Sequence, residues 1–399
     1  MVRASRCHGV IFVLSADCRR VSADNLLTKD RQRKNNIASL RAYVGAMQCS
    51  LRRSMRLFGS GLKAGAMVAS LTLACHAVAQ DTPVISGGVG FLTNTNQAGT
   101  TFLPIAEPLL AAPLGSRVLI ESRAALIETI KPKTGLPRRY SHSFFAGLTY
   151  LQGDVIVAPH LNFVAGSFLI PFGTYNERLS PVWINPLQDG PLIASLGSMG
   201  TGTGVGAQVR GSAASSPNYS LTYAAYYSTR SGNQQFNSER SFGGQSSLYF
   251  KPQRVEVGLS YGRLLQGTHE NFYGMHVWFE PKDTSFRLRS EFARGHHAQG
   301  YWVQADYRTT SWGGQGSWRR NFEPILQFQQ TWRRDNTFSD GLPLVNTQRL
   351  DAGLNYNLPH STRIMTSYAR QFSSTGDRNI WETGLTYRFL SPAWKGRNK

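Results

Sequence analysis

His142 stands between Ser141 and Ser143, and His296 is followed directly by His297. These are the side chains whose types could support covalent or metal chemistry. A serine beside a histidine becomes a nucleophile only when an acidic or amide partner orients the imidazole, and the neighbouring sequence supplies none. The adjacent histidines lack a third ligand at metal spacing. The sequence therefore gives no catalytic, cofactor or metal residues, and a membrane-embedded hydrolase built on His142 is kept only as an alternative.

A second set of candidates is electrostatic. Arg123, Arg254, Arg287, Arg289, Arg308, Arg349 and Arg388 recur on the polar side of runs that alternate polar and apolar residues. Guanidinium groups lining a narrow aqueous path attract anions and contact carboxylate or phosphate in a planar fork. The competing reading is structural: these arginines pair with Glu121, Glu256, Glu291, Asp306, Asp351 and Glu382 as rungs on a wall.

The runs themselves imply the elements. In 347–358, Leu350, Ala352, Leu354, Tyr356 and Leu358 oppose Arg349, Asp351, Asn355 and Asn357; in 379–389, Trp381, Thr383, Leu385, Tyr387 and Phe389 oppose Glu382, Gly384, Thr386 and Arg388. A period of two marks strands with an apolar and a wet face. Fourteen such segments are read near 117–128, 142–151, 158–171, 203–212, 218–229, 242–251, 254–264, 271–280, 285–294, 299–309, 324–334, 347–358, 361–372 and 379–389. Short turns such as Lys251-Pro252-Gln253 and Leu358-Pro359-His360 alternate with long polar connections, the pattern of a transmembrane β-barrel. The parity requires 310–323 to be a long connection at the end where the chain finishes. The fold expected is an all-β, single antiparallel barrel of about 14 strands, with 12 and 16 as alternatives, over 117–389.

Residues 80–116 hold a strand-like run at 84–92 and then Pro104, Pro108 and Pro113, which argue against a central strand. They are read as a periplasmic or plugging segment. Aromatic residues near strand ends (Phe144, Phe145, Tyr226, Tyr227, Tyr249, Phe250, Trp278, Phe279, Trp332, Tyr387) are read as two interfacial girdles.

Composition agrees. No run of some eighteen apolar residues is present, which excludes an ordinary spanning helix but not a barrel. The four cysteines, Cys7, Cys18, Cys49 and Cys75, leave the rest of the chain thiol-free and without a disulfide or metal framework. The formal net charge is +20. Half of that excess lies in residues 1–80, and no basic helix or nucleic-acid motif accompanies it, so nucleic acid is not an expected partner. The +10 of the remaining chain implies a mild anion preference.

Residues 51–79 have the architecture of a signal peptide: Arg52, Arg53, Arg56 and Lys63, then an apolar core over 64–74, then Ala77-Val78-Ala79 before Gln80. Residues 1–50 precede it and are read as an untranslated or disordered extension. Export follows, and the outer membrane is the expected destination.

The connection 173–202 carries Glu177, Arg178, Trp183 and Asp189 and is stiffened by Pro181, Pro186 and Pro191. Connections of this length are often functional, and it is the candidate constriction of a pore. The stretch Val164-Ala165-Gly166-Ser167-Phe168-Leu169-Ile170-Pro171-Phe172-Gly173, continuing to Asn176-Glu177-Arg178, resembles a segment of porins similar to the phosphate-selective O/P family, where a barrel strand leads into a long loop. The resemblance spans some fifteen residues and implies the barrel fold and an outer-membrane place. Phosphate specificity is not carried over, because lysine is scarce. Tyr387-Arg388-Phe389 resembles the terminal aromatic assembly signal that the barrel-assembly machinery reads, although residues 390–399 follow it as a tail.

The expectation is a channel for passive diffusion of small hydrophilic solutes, lipid-embedded, needing no cofactor, with a homo-trimer as a possible assembly. The rival class is a barrel closed by loops and paired charges that serves in interaction or assembly.

Overall fold

The computed structural model describes residues 83–133, 139–194, 202–233, 236–267, 269–314, 316–337 and 341–392. The residues read as a signal peptide, with Ala77, Ala79 and Gln80, the extension before them, and the tail beyond residue 392 lie outside the described residues.

Sixteen antiparallel strands close into one barrel. In chain order they are β1 (Val84–Asn96), β2 (Gly99–Leu114), β3 (Val118–Pro132), β4 (Tyr140–Ala158), β5 (Leu161–Leu169), β6 (Thr203–Ser215), β7 (Tyr219–Thr229) and β8 (Ser241–Phe250). They continue as β9 (Val255–Leu264), β10 (Asn271–Phe279), β11 (Phe286–Arg294), β12 (Ala298–Tyr307), β13 (Phe322–Arg333), β14 (Thr347–Leu358), β15 (Thr362–Ser373) and β16 (Arg378–Pro392). A small external hairpin pairs Ser231–Gly232 with Asn237–Ser238. Each strand pairs with its sequence neighbours, and β1 closes the ring on β16 from Val84↔Pro392 to Thr95↔Trp381.

The strand count corrects the expectation of fourteen. Residues 84–96 and 99–114 are not a plug but the first hairpin of the wall. Pro104 and Pro108 have the same parity, so both lack an N–H toward the same neighbour. The ladder from β2 to β1 is continuous, whereas the ladder to β3 has no pairs at 103–104 and 107–108. The prolines thus remove donors along one edge only, and the other edge holds the strand in the sheet. The final strand also runs past Phe389 to Pro392, because β1 offers partners that far.

Register sorts the side chains. Phe91, Phe242, Tyr261, Tyr273, Tyr301, Phe328, Trp332, Tyr368 and Trp381 lie on the outward phase, and many touch ring to ring, as in Tyr261–Tyr273 at 5.5 Å and Tyr368–Trp381 at 4.6 Å. Leu259, Leu326, Leu350, Leu354, Ile364 and Leu385 between the ends are exposed. An exposed apolar band bounded by aromatic rings is a lipid-facing surface. The girdle reading needs one correction: Tyr226, Tyr249 and Trp278 point inward, while their neighbours Tyr227, Phe250 and Phe279 point outward. Successive residues in a strand must face opposite ways, so only one of each adjacent pair can reach lipid. Among the described residues of the connection 308–321 the one helical element is a short 3₁₀ turn, Trp318–Asn321, and no strand interrupts the parity.

Candidate functional site

The chain after β5 turns into the barrel at Gly173. Its φ of +65° suits glycine, and a Cβ there would stand 1.9 Å from Glu291 Oε1. Its amide donates to Ser260 Oγ (3.0 Å) and its carbonyl accepts from Gln245 Nε2 (2.9 Å), fixing the pivot to β9 and β8. Thr174 donates to Glu291 Oε2 through both its amide (2.9 Å) and its hydroxyl (3.1 Å). One π-helical turn follows over Tyr175–Leu179, closed by the Ser180 amide on the Tyr175 carbonyl at 2.9 Å.

From there the segment reaches walls on opposite sides of the ring. Arg178 forks onto Glu256 of β9 at 2.9 and 2.8 Å. The Val182 amide donates to Glu107 of β2 at 2.7 Å, and Arg123 of β3 donates to Ser180 at 3.2 Å. The Leu192 amide donates to Gln329 of β13 at 2.7 Å; Arg349 of β14 binds Asp189 at 2.8 Å; Arg363 of β15 donates to the Asn185 carbonyl at 2.6 Å. Trp183 packs on β1 so closely that a Cβ on Gly88 would lie 2.5 Å from the indole. A single segment can touch all these strands only by crossing the lumen.

Apolar packing holds it there as well as hydrogen bonds. Phe172, Tyr175, Leu179 and Ile193 form one buried cluster with the inward Phe168, Tyr226, Phe272 and Trp302. Burying side chains of this size contributes roughly 1.5–3 kcal/mol each. Trp278 lies between the guanidinium groups of Arg178 (5.6 Å) and Arg289 (4.4 Å).

The inward arginines mostly meet carboxylates. Arg287 binds Asp306 and Glu323, and Arg308 reaches Glu323 at 3.2 Å. Arg289 approaches Asp306 at 3.5 Å. Arg349 joins Asp189 (2.8 Å), Asp351 (2.7 Å) and Glu382 (3.7 Å). Arg123 lies buried beside the Tyr150 ring. Arg388 shares the inward phase of Glu382 and pairs in register with Gly88. Arg254 departs from the expected lining: it sits in the turn before β9 with φ +55°, 3.8 Å from Glu280. The turn consumes the residue that alternation had placed on the strand. Of the segment's own candidates, Arg178, Trp183 and Asp189 make the contacts above, and Glu177 lies within electrostatic reach of Arg210 and Asp154.

Sequence reasoning did not single out Glu107, Asp154, Arg210, His276, Glu323 or Arg363. His276 is buried between Glu256 and Ser247, each 3.3 Å from its Nε2. A visible signal existed for some: Glu323 and Arg363 fall on the polar phase of clean alternations. The catalytic candidates do not assemble. Glu128 reaches His142 Nδ1 at 3.2 Å, but Ser141 and Ser143 project to the other face of the strand. His297 presents Nε2 to Glu270 (3.2 Å) and Nδ1 to Asp335 (3.4 Å), so the two carboxylates lie on opposite sides of its ring. Among the described residues no cluster is arranged to hold a metal.

No protein-family model matches the chain, and no curated protein matches it in sequence. Among solved structures it is similar to OmpF of Salmonella typhi in complex with daunomycin, at a TM-score of 0.53 and 10% identity over 77% of this chain and 98% of that one. It is also similar to an anion-selective porin from Comamonas acidovorans (TM-score 0.49, 11% identity, 77% and 99% covered) and to OpdK from Pseudomonas aeruginosa (0.45, 12%, 78% and 99%). These three structures do not support the resemblance of residues 164–178 to the phosphate-selective family. The likeness at these identities is one of architecture: this chain has the closed antiparallel barrel fold seen in outer-membrane porins.

Proposed function

We propose that the chain is an outer-membrane channel through which small hydrophilic solutes diffuse down their gradients, along a lumen narrowed by the segment 170–194. The observation that carries this reading is the segment's course across the lumen, docked on β9–β16 and touching β1–β3 at fewer points. Inward residues of β12–β15 such as Gln304, Gln327, Asp351 and Ala369 are almost wholly covered. Of the inward residues of β2 and β3, Glu107, Arg123 and Ala125 are buried, whereas Ile105, Leu109, Glu121 and Ile127 keep partial exposure. The remaining passage runs on that side.

Selectivity then follows the charges bordering the passage rather than the charge of the chain. Glu107, Glu121 and Asp154 face Arg123 and Arg210 there, while many positive residues, such as Lys251, Lys282, Arg319 and Arg334, sit on connections. This balance supports weak selectivity instead of the anion preference read from overall charge. Reversal potentials across a potassium chloride gradient test it: a value near zero is expected, and a strong chloride potential contradicts it.

The second reading, a closed barrel with an interaction role, is favoured by the buried ion pairs of β11–β16. Planar-bilayer recording separates the two. Discrete steps of small conductance support the channel; a silent, correctly folded barrel supports closure.

A further inference from the structure

The connection 308–321, between β12 and β13, lies at the end of the barrel where both described termini sit, and it turns outward instead of entering the lumen. Trp312 packs against Tyr307 with ring centroids 6.2 Å apart, and Trp318 against Phe322 at 5.5 Å. Tyr307 and Phe322 are on the lipid-facing phase, because their neighbours Asp306 and Glu323 face inward and pair with Arg287. The indoles nevertheless stay exposed, at 53% and 59%. Arg319 lies over the Trp318 ring at 5.7 Å. Neither Arg319 nor Arg320 has a carboxylate partner among the described residues, unlike Arg287, Arg289 and Arg349 on the wall.

The shape is held from below. Thr309 donates its hydroxyl to the Arg319 carbonyl (2.5 Å) and its amide to the Phe322 carbonyl (3.0 Å), and the Arg320 amide donates to the Ser317 carbonyl (3.2 Å). Two exposed indoles and two unpaired guanidinium groups are thus presented at the lower edge of a lipid-facing wall.

We propose that this connection is a foot that holds anionic phospholipid in the leaflet at the termini's end of the barrel. Indoles favour the boundary between headgroup and acyl chain, where an apolar body and a polar N–H are both satisfied. Arg319 and Arg320 supply the charge complementary to a phosphodiester, and arginine can bind its oxygens in a fork. A lipid is the fitting occupant because the patch continues the lipid-facing surface sideways and faces away from the lumen. The inference rests on the membrane placement and not on transport, so a silent barrel would leave it standing.

The full barrel, reconstituted in nanodiscs of phosphatidylcholine with a minor share of phosphatidylglycerol, is released into the gas phase and its retained lipids are counted by mass spectrometry. The wild type is expected to retain phosphatidylglycerol over phosphatidylcholine. R319Q/R320Q should lower that preference by about tenfold, and R370Q, whose arginine pairs with Asp377 at the opposite end, should not change it. W312A/W318A should lose retained lipid of both kinds at this site. Heat-modifiable gel mobility confirms that each variant is folded. Equal retention by wild type and R319Q/R320Q would overturn the proposal. So would stable oligomers that W312A/W318A converts to monomers, because a second copy would then cover the patch.

Discussion

The two sides of the lumen are built differently. On β12–β15 buried inward residues alternate with more accessible outward ones, and the inward face is largely polar: Gln304, Asp306, Glu323, Gln327, Arg349, Asp351. On β1–β3 the inward face mixes Leu92, Leu103, Ile105, Leu109 and Ile127 with Glu107, Glu121 and Arg123, and most of the apolar positions are only half-buried. The polar side is covered and cross-linked, and the mixed side is left partly open. Buried charge needs partners and fixed geometry, so the inward segment docks where the ion pairs are.

The largest expected effect breaks the covered side. Arg349→Ala removes the one cation shared by Asp189, Asp351 and Glu382, and stranding buried carboxylates costs about 3–5 kcal/mol. Denaturant unfolding of the micelle-bound barrel should show that loss. Leu109→Ala on the open side should cost about 1 kcal/mol, because a half-buried side chain loses less transfer energy. Equal losses at the two sites would erase the distinction.

Next in size is release of the segment. Gly173→Val forces a side chain into Glu291 and away from the positive φ that the pivot needs. The segment should leave the wall, raising single-channel conductance several-fold and making 174–194 sensitive to added protease. Unchanged conductance and protection would show that the pivot does not hold the constriction.

The contrast also explains what could be read from residues alone. Strands β9–β16 were legible because one face must be polar and the other apolar; 347–358 and 299–307 show it directly. Of the first hairpin only the strand-like run 84–92 of β1 was legible, and β2 was not, because Phe102, Pro104, Ala106 and Leu110 outside are matched by Leu103, Ile105 and Leu109 inside. Alternation vanishes when both faces are apolar. The inward aromatics were hidden for a related reason. Trp302 sits on the polar phase of its strand, and Tyr226 precedes an outward tyrosine, yet neither signals what packs against it. The partner is a connection more than thirty residues away from each in sequence, and its path across the lumen is set by Gly173 and by contacts no local pattern encodes.

The smallest effect lies outside the lumen. Thr337 donates its hydroxyl (2.6 Å) and amide (2.9 Å) to Asp335, holding that carboxyl below its ordinary value of 3.8. A depressed carboxyl contributes stability that is present above its unfolded value and lost as pH falls through its folded value. Protection of the Thr337 amide from hydrogen exchange should therefore persist from neutrality down to about pH 4 and fade below it. D335N should remove that pH dependence while leaving conductance unchanged.

In the proposed channel an open passage follows the β1–β3 side of a lumen otherwise filled by residues 170–194. The described residues contain no cysteine, so single thiols report access cleanly. In planar bilayers, a charged, membrane-impermeant methanethiosulfonate should react with Leu109→Cys and reduce the single-channel current, and should leave Gln327→Cys conducting as before. Block at residue 327 without block at residue 109, or a folded barrel that carries no current, would contradict the account.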